Sequence, residues 1–222
     1  MIKELKNNKA PDIDNLPAEL TKEGGYKLIY FLHKLFELIL IKETIPEEWK
    51  TGVICPIHKK GDPKLCKNCR PITLLPTIYK LLSKILYIRL LPYTEKIIGN
   101  YQCGFRQGKG TMDQIFTLRQ IVEKTKEYNI ELHHLFIDFS SAYDTIDRSQ
   151  LYTAMKEFDI PRKLINMVQI TMNISHCQVR IQTDLSEPLK TLNGLRQGDS
   201  LSCLLFNLAL EKIVRDAGIQ TR

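Results

Sequence analysis

The sequence predicts an α+β fold that is rich in helices and contains a small antiparallel sheet. Apolar residues recur at the spacing of an amphipathic helix over most of the chain, and only a few short runs have the alternation or the β-branched composition of a strand. Hydrophobic residues make up 43% of the 222 residues, which is enough for the core of one large domain or of two small ones.

Helical periodicity recurs along most of the chain, and the helices are bounded by residues that favour a start or a stop. Pro46 ends the first helix, Pro76 suits the first turn of the second, and Gly218 stops the last. The predicted helices lie at about 25–42, 76–86, 111–122, 148–158, 161–172 and 200–216. The third of them is expected to pack on the core through Ile115, Leu118 and Val122.

Short β-forming runs predict strands at about 51–57, 132–139, 177–181 and 186–193. The second run contains Asp138 between apolar neighbours, where a bare carboxylate costs on the order of a few kcal/mol unless a cation or donors compensate it. Because side chains of a strand alternate between its faces, Ile137 and Phe139 would pack on helices while Asp138 faces a cleft. A divalent metal is the natural partner of such a carboxylate. A capping or turn aspartate fits the same residues.

Several segments carry motif-like residues in a fixed order along the chain. They are Ala10-Pro11-Asp12 with Leu16-Pro17-Ala18-Glu19, 57–62 (Ile-His-Lys-Lys-Gly-Asp), 68–75 (Asn-Cys-Arg-Pro-Ile-Thr-Leu-Leu), 102–106 (Gln-Cys-Gly-Phe-Arg) running on to 113–114, 135–144 (Leu-Phe-Ile-Asp-Phe-Ser-Ser-Ala-Tyr-Asp) and 194–202 (Gly-Leu-Arg-Gln-Gly-Asp-Ser-Leu-Ser). Together they resemble the reverse transcriptases of LINE-type retrotransposons, which lack long terminal repeats. The last two segments resemble motifs A and B of that family.

The resemblance implies polymerase-like fingers and a partial palm. Residues 1–128 would form an amino-terminal extension and the fingers, with the reverse transcriptase core starting at about residue 50, and residues 129–222 would form a truncated palm with motifs A and B. The implied parent reaction is RNA-directed DNA synthesis with two Mg²⁺ ions. Its partners would be an RNA template, a DNA primer and deoxynucleoside triphosphates.

The resemblance also assigns roles to individual residues. Asp138 would be the catalytic carboxylate, and it would hold metal together with the backbone carbonyl of Phe139. The nucleotide-binding residues would be Lys59, Arg70, Tyr143 and Gln197. The template-binding residues would be Arg106, Lys109 and Gly198. Lysine offers a compact charge and arginine a planar fork, and both suit phosphate oxygens.

Plainer interpretations stand beside several of these roles. Lys60 adjoins Lys59 and could take its place, and Tyr143 could be a core tyrosine. Gly198 makes sense where a backbone approaches a ligand closely, but an ordinary Gly-Asp turn and helix cap fits the same residues. Arg106 and Lys109 lie in a glycine-rich loop, where isolated cations are often simply solvated.

A third polymerase motif, the aromatic-x-Asp-Asp hairpin, has no counterpart, because the sequence contains no adjacent pair of aspartates. In the family that pair completes the two-metal site. We therefore expect a polymerase fragment that is inactive alone. The alternatives are a non-catalytic remnant that still binds nucleic acid, and a helical interaction module without enzymatic function.

Charge, cysteines and the amino terminus add weaker constraints. The net charge of +7 is compatible with a nucleic-acid partner, although many soluble proteins are as basic. Cys66 and Cys69 have the spacing of half a zinc site, but no second pair follows at ligand spacing, so reduced thiols are expected. Lys3, Glu4 and Lys6 interrupt any apolar leader. We expect an intracellular protein, cytoplasmic or nuclear, that does not enter a membrane.

Overall fold

The computed structural model describes residues 1–9, 14–173 and 176–219. Ala10-Pro11-Asp12 of the amino-terminal motif lies outside the described residues. The elements are α1 (Ala18–Glu23), α2 (Gly25–Lys42), β1 (Thr51–His58), β2 (Cys69–Leu74), α3 (Thr77–Ile97), α4 (Thr111–Glu127), α5 (Arg148–Glu157), α6 (Arg162–Met172), β3 (His176–Ile181), β4 (Asp184–Leu185), β5 (Leu189–Lys190) and α7 (Ser200–Asp216), with 3₁₀ turns at Ile2–Glu4, Glu47–Lys50 and Cys66–Asn68. Among these described helices, none combines the length and the apolar character needed to cross a membrane.

The six predicted helices are confirmed, although α3 continues past its predicted end at residue 86 to Ile97, and the starts of α5 and α7 have the expected chemistry. The Asp147 carboxylate caps α5 by accepting hydrogen bonds from the backbone N–H groups of Ser149 and Gln150. The Asp199 carboxylate caps α7 in the same way through the N–H of Leu201. Because caps and apolar spacing are local signals, they fixed these boundaries to within a few residues.

The strands form one sheet in the order β2-β1-β3-β4, with β5 also paired to β3. The β1–β2 hairpin is antiparallel, and its register runs from Val53 opposite Leu74 to His58 opposite Cys69. β1 and β3 are parallel, so the sheet is mixed and the prediction of an antiparallel sheet was wrong for this pair. A parallel pair needs a long crossover connection, which α3 to α6 provide.

One hydrophobic core joins α2, α3, α5, α6 and α7. Its fully buried side chains include Tyr79, Leu82, Leu86, Leu90, Leu151, Met155, Met167, Leu201, Leu205 and Leu208. These residues come from α3, α5, α6 and α7, and therefore from both of the predicted regions. The boundary between fingers and palm at residues 128 and 129 stays a prediction.

Two expectations about burial were wrong. Residues 130–139 form no strand, and Leu135, Phe136 and Ile137 are 85%, 79% and 71% exposed. A strand needs a neighbour to pair its N–H and C=O groups, and the described sheet does not extend to this segment. The predicted inner face of α4 is also exposed: no residue of α4 is buried, including Ile115, Leu118 and Val122.

Candidate nucleotide and nucleic-acid site

The β1–β2 hairpin carries the two predicted triphosphate-binding cations. Arg70 is opposite Ile57, and the N–H of Lys59 extends the ladder by donating to the carbonyl of Asn68 at 2.8 Å. Lys59 is two residues from Ile57, so its side chain leaves on the same face as that of Arg70. Lys60 lies in the bend that follows, where the strand alternation no longer applies. The structure thus brings Lys59 and Arg70 to one exposed face.

The motif B segment lies against β2. The N–H of Thr73 donates to the carbonyl of Gln197 at 2.8 Å, and Ile72 forms a parallel bridge with Gln197. At Gly198 the backbone has φ of 120°, and an added Cβ would lie 2.9 Å from the carbonyl oxygen of Thr73. Only glycine fits this approach, which is the close backbone contact predicted for Gly198, although its partner here is β2.

Gln197 faces a cleft of about 210 Å³ that is lined in part by Pro71, Thr73, Asp144 and Arg148. Pro71 and Thr73 alternate with Arg70 along β2 and therefore point to the opposite face of the hairpin. Gln197 and the cation pair thus lie on different sides of β2 in this structure. Their joint contact with one nucleotide stays a prediction.

Backbone hydrogen bonds join the end of motif A to motif B. Leu195 donates to the carbonyl of Tyr143, and Gly194 donates to that of Ile146, both at 2.8 Å. The Arg148 guanidinium reaches the same loop, donating from Nε to the carbonyl of Gly194 at 2.9 Å and from Nη2 to that of Asn193 at 3.1 Å. These bonds hold the two motif segments in a fixed relation.

Tyr143 belongs to an aromatic cluster beside motif B. Its ring stacks on Phe206 with centroids 5.2 Å apart and meets Phe105 edge-on at 6.3 Å. Its hydroxyl lies 3.4 Å from Sγ of Cys203. Partial burial, and then the bond to Cys203, raise the pKa of Tyr143 above its usual value, so the hydroxyl is neutral at physiological pH.

A buried polar cluster supports motif B from α3. The Asp199 carboxylate accepts hydrogen bonds from the hydroxyl of Tyr79 at 2.8 Å, from the hydroxyl of Ser83 and from the N–H of Leu201 at 3.1 Å. Arg196 lies over the Tyr79 ring at 5.1 Å and donates to the carbonyl of Thr171. Burial is the main reason that the pKa of Tyr79 is strongly raised, and the nearby Asp199 carboxylate adds to it.

The predicted metal ligands do not form a metal site by themselves. Asp138 and Phe139 lie on the exposed 130–139 segment, and the Phe139 ring meets Phe206 edge-on at 6.5 Å. Over the described residues, no three His, Cys, Asp or Glu side chains are grouped so that they could hold a metal ion. Asp138 is therefore one potential ligand without the rest of a two-metal set among the described residues.

Arg106 has a different role in this structure from the predicted template contact. Its buried guanidinium donates to the Glu95 carboxylate at 2.6 Å and to the carbonyls of Gly99 and Gln102 at 2.7 and 3.2 Å. With these bonds it holds the 99–110 loop on α3, and it is not available to a template phosphate. Lys109 donates within the same loop to Asn100, and its template contact stays a prediction.

Arg106→Ala should therefore lower stability and change nucleic-acid binding little. We expect a loss of about 2–4 kcal/mol, because Glu95 and two carbonyls lose a buried charged partner. Urea unfolding followed by circular dichroism measures it. The matched control is Arg119→Ala, since Arg119 is an exposed arginine paired with Glu123 and should contribute little. If Arg106→Ala abolished RNA binding and left stability unchanged, the result would support the predicted contact between Arg106 and the template.

Three functional candidates were not assigned a role from the sequence. Asp144 and Arg148 meet motif B only through tertiary structure: Asp144 ends the motif A segment without a role of its own, and nothing local distinguishes Arg148 from a surface charge. Asp199 was detectable as a helix cap, because it directly precedes the first residue of α7. Its bonds to Tyr79 and Ser83 depend on how α3 and α7 pack.

A family model described as "Reverse transcriptase (RNA-dependent DNA polymerase)" matches residues 57–219. The matched range contains both motif segments and the hairpin cations described above. The chain belongs to this reverse transcriptase family. Members of the family generally use a divalent metal.

The relatives place the chain with transposon proteins, as the motifs indicated. The "Transposon TX1 uncharacterized 149 kDa protein" of Xenopus laevis is 28% identical over 207 residues, which are 93% of this chain and 16% of that protein. The "Probable RNA-directed DNA polymerase from transposon BS" of Drosophila melanogaster is 28% identical over 210 residues, 93% of this chain and 23% of that protein. The chain thus spans less than a quarter of the length of either relative.

Among solved structures, the "Partial Cas6-RT-Cas1--Cas2 complex" aligns with a TM-score of 0.47 at 17% identity. The alignment covers 90% of this chain and 32% of that one.

Proposed function

We propose that this chain is the fingers and the first part of the palm of an RNA-directed DNA polymerase from a retrotransposon without long terminal repeats, and that it does not polymerise alone. The observation that carries the proposal is the joining of motif A to motif B. Tyr143 and Ile146 accept backbone hydrogen bonds from Leu195 and Gly194, which holds Gln197 at the cleft beside β2.

The substrates we propose are an RNA template, a DNA primer and deoxynucleoside triphosphates. Lys59 and Arg70 would bind the triphosphate, since they share one exposed face of the hairpin and have no acidic partner among the described residues. Tyr143 would pack against the sugar and exclude a 2′-hydroxyl by its volume. Gln197 and Gly198 would contact the nascent base pair and the template.

The metal we propose is Mg²⁺, because hard divalent cations prefer carboxylate and carbonyl oxygens. Asp138 and the carbonyl of Phe139 would supply two of its ligands. When bound, the metal would stabilise the negative charge that develops on the transferring phosphoryl group. We propose no further ligand for this metal among the described residues.

A non-catalytic nucleic-acid-binding remnant is the second candidate. It is favoured by the exposed position of Asp138, which belongs to no group of three or more potential metal ligands among the described residues, while Lys59 and Arg70 remain accessible. Both candidates predict RNA binding through the hairpin, so RNA binding separates them from a helical interaction module. Primer extension separates them from each other.

A salt titration with fluorescein-labelled single-stranded RNA tests the hairpin. Each phosphate contact contributes about −0.7 to the log–log slope of affinity against salt concentration, so three to five contacts give roughly −2 to −3.5. Lys59→Ala combined with Arg70→Ala should make the slope shallower by about one to one and a half. Fluorescence anisotropy gives the affinity at each salt concentration.

The control removes the same charge from α2 with Lys27→Ala and Lys34→Ala, two exposed lysines outside the hairpin. This pair should change the slope less. Equal slopes for the two double variants would mean that RNA is attracted by diffuse charge, and would contradict an RNA-binding site on the hairpin.

A further inference from the structure

Asp144 directly contacts the side chain of Gln197. Nε2 of Gln197 lies 3.2 Å from Oδ1 and 3.3 Å from Oδ2 of Asp144. An ionised carboxylate can only accept hydrogen bonds, so the NH₂ end of the amide must face Asp144 and the carbonyl end must face away. No hydrogen bond from the described residues reaches Oε1 of Gln197, which leaves this acceptor open to a ligand.

The backbones that carry the two side chains are both fixed. Gly194 has φ of +86°, and an added Cβ would lie 2.9 Å from the carbonyl oxygen and 3.0 Å from the Cα of Asp144. The backbone carbonyl of Gln197 accepts a hydrogen bond from the N–H of Thr73 in β2. The contact itself is solvent-exposed, so any gain over an ordinary surface pair comes from the two fixed backbones, which keep the side chains within reach of each other.

We propose that Asp144 is a positioning residue, which orients the Gln197 amide so that its carbonyl oxygen is presented to the nascent base pair. The inference rests on the proposed function and adds a residue to it. Asp144 acts through Gln197 and touches no substrate itself. With the amide held in this orientation, the carbonyl oxygen of Gln197 would accept a hydrogen bond from a donor on the nucleic acid.

Simple electrostatics predicts the opposite sign for the removal of Asp144. A negative charge beside a nucleic-acid site repels phosphate, so its deletion alone should raise affinity. If Asp144 orients Gln197, its deletion should lower affinity. The sign of the change therefore distinguishes a positioning role from a bystander charge.

The experiment measures anisotropy with a fluorescein-labelled RNA template annealed to a DNA primer. Gln197→Ala should weaken binding by about three- to tenfold, the effect of one net hydrogen bond. Asp144→Ala should weaken it similarly, and the double variant should be no weaker than Gln197→Ala alone. Asp144→Asn should fall between wild type and Asp144→Ala, because its amide allows either orientation of Gln197.

The charge control is Glu187→Ala, since Glu187 is exposed and its side chain makes no hydrogen bond among the described residues. It should leave affinity unchanged or raise it slightly. A rise with Asp144→Ala like that with Glu187→Ala, or losses that add in the double variant, would overturn the positioning role while the proposed function stands. If wild type fails to bind the duplex in a salt-dependent way, the proposed function fails and this role with it.

A second measurement reports on the contact without nucleic acid. In ¹H–¹⁵N spectra of the free protein, the side-chain NH₂ signals of Gln197 should shift in Asp144→Ala and stay in place in Glu187→Ala. Unchanged Gln197 signals in Asp144→Ala would contradict the contact itself. Unchanged backbone signals elsewhere would confirm that the variant is folded.

Discussion

Primer extension by the 222-residue chain alone is expected to be absent on a poly-rA template, with either Mg²⁺ or Mn²⁺. The two-metal clamp supplies much of the acceleration in phosphoryl transfer, and a missing half of its ligands costs many powers of ten in rate. The sequence contains no adjacent aspartate pair, and the described residues contain no cluster of potential ligands around Asp138. Incorporation of radiolabelled dTTP measures the reaction.

Two variants test whether any incorporation that is observed comes from this chain. If wild type incorporates nucleotide, Asp138→Ala should be compared with Glu131→Ala, which removes an exposed acid from the same segment. Loss of incorporation in Asp138→Ala alone would show that the chain completes its own metal site and that the fragment interpretation is wrong. Equal incorporation in all three proteins would identify a contaminating polymerase.

Asp199→Ala is expected to lower the free energy of unfolding by about 3–5 kcal/mol. Asp199 is buried, and its removal takes away the cap of α7 and the acceptor of the hydroxyls of Tyr79 and Ser83. A buried hydroxyl without a partner costs more than an ordinary hydrogen bond contributes. The midpoint of urea unfolding, at a constant m-value, measures the loss.

Asp199→Asn should cost less, about 1–2 kcal/mol, because asparagine also caps a helix but has one acceptor oxygen instead of two. Asp216→Ala is the matched control on the same helix, since Asp216 pairs with Lys212 at the exposed carboxyl end. It should change stability little. Similar losses in Asp199→Ala and Asp216→Ala would mean that the buried cluster adds nothing to the fold.

The helices were predictable because their signals are local. The apolar spacing of α2, the proline before α3 and the aspartate before α7 are all read within a few residues. The exposed face of α4 has the same spacing as a buried one. Its exposure could not be predicted, because periodicity gives a face but not the element that packs on it.

The strands were harder to predict than the helices, because strand pairing depends on residues that are distant in the sequence. The 132–139 run has the composition of a strand, but a strand exists only where a second one satisfies its backbone groups. The parallel pairing of β1 with β3 likewise depends on residues that are far apart in the chain. Composition identified the β-forming runs and left their partners open.

For the candidate site, the motifs alone identified the family, their order along the chain and the residue types at each position. Which of those residues meet became visible only in the folded chain. Folding placed Arg106 on Glu95, and it brought Gln197 onto Asp144 across 53 positions. A motif records which chemistry is present, whereas contacts between distant residues depend on how the helices and the sheet pack, and packing is a property of the whole chain.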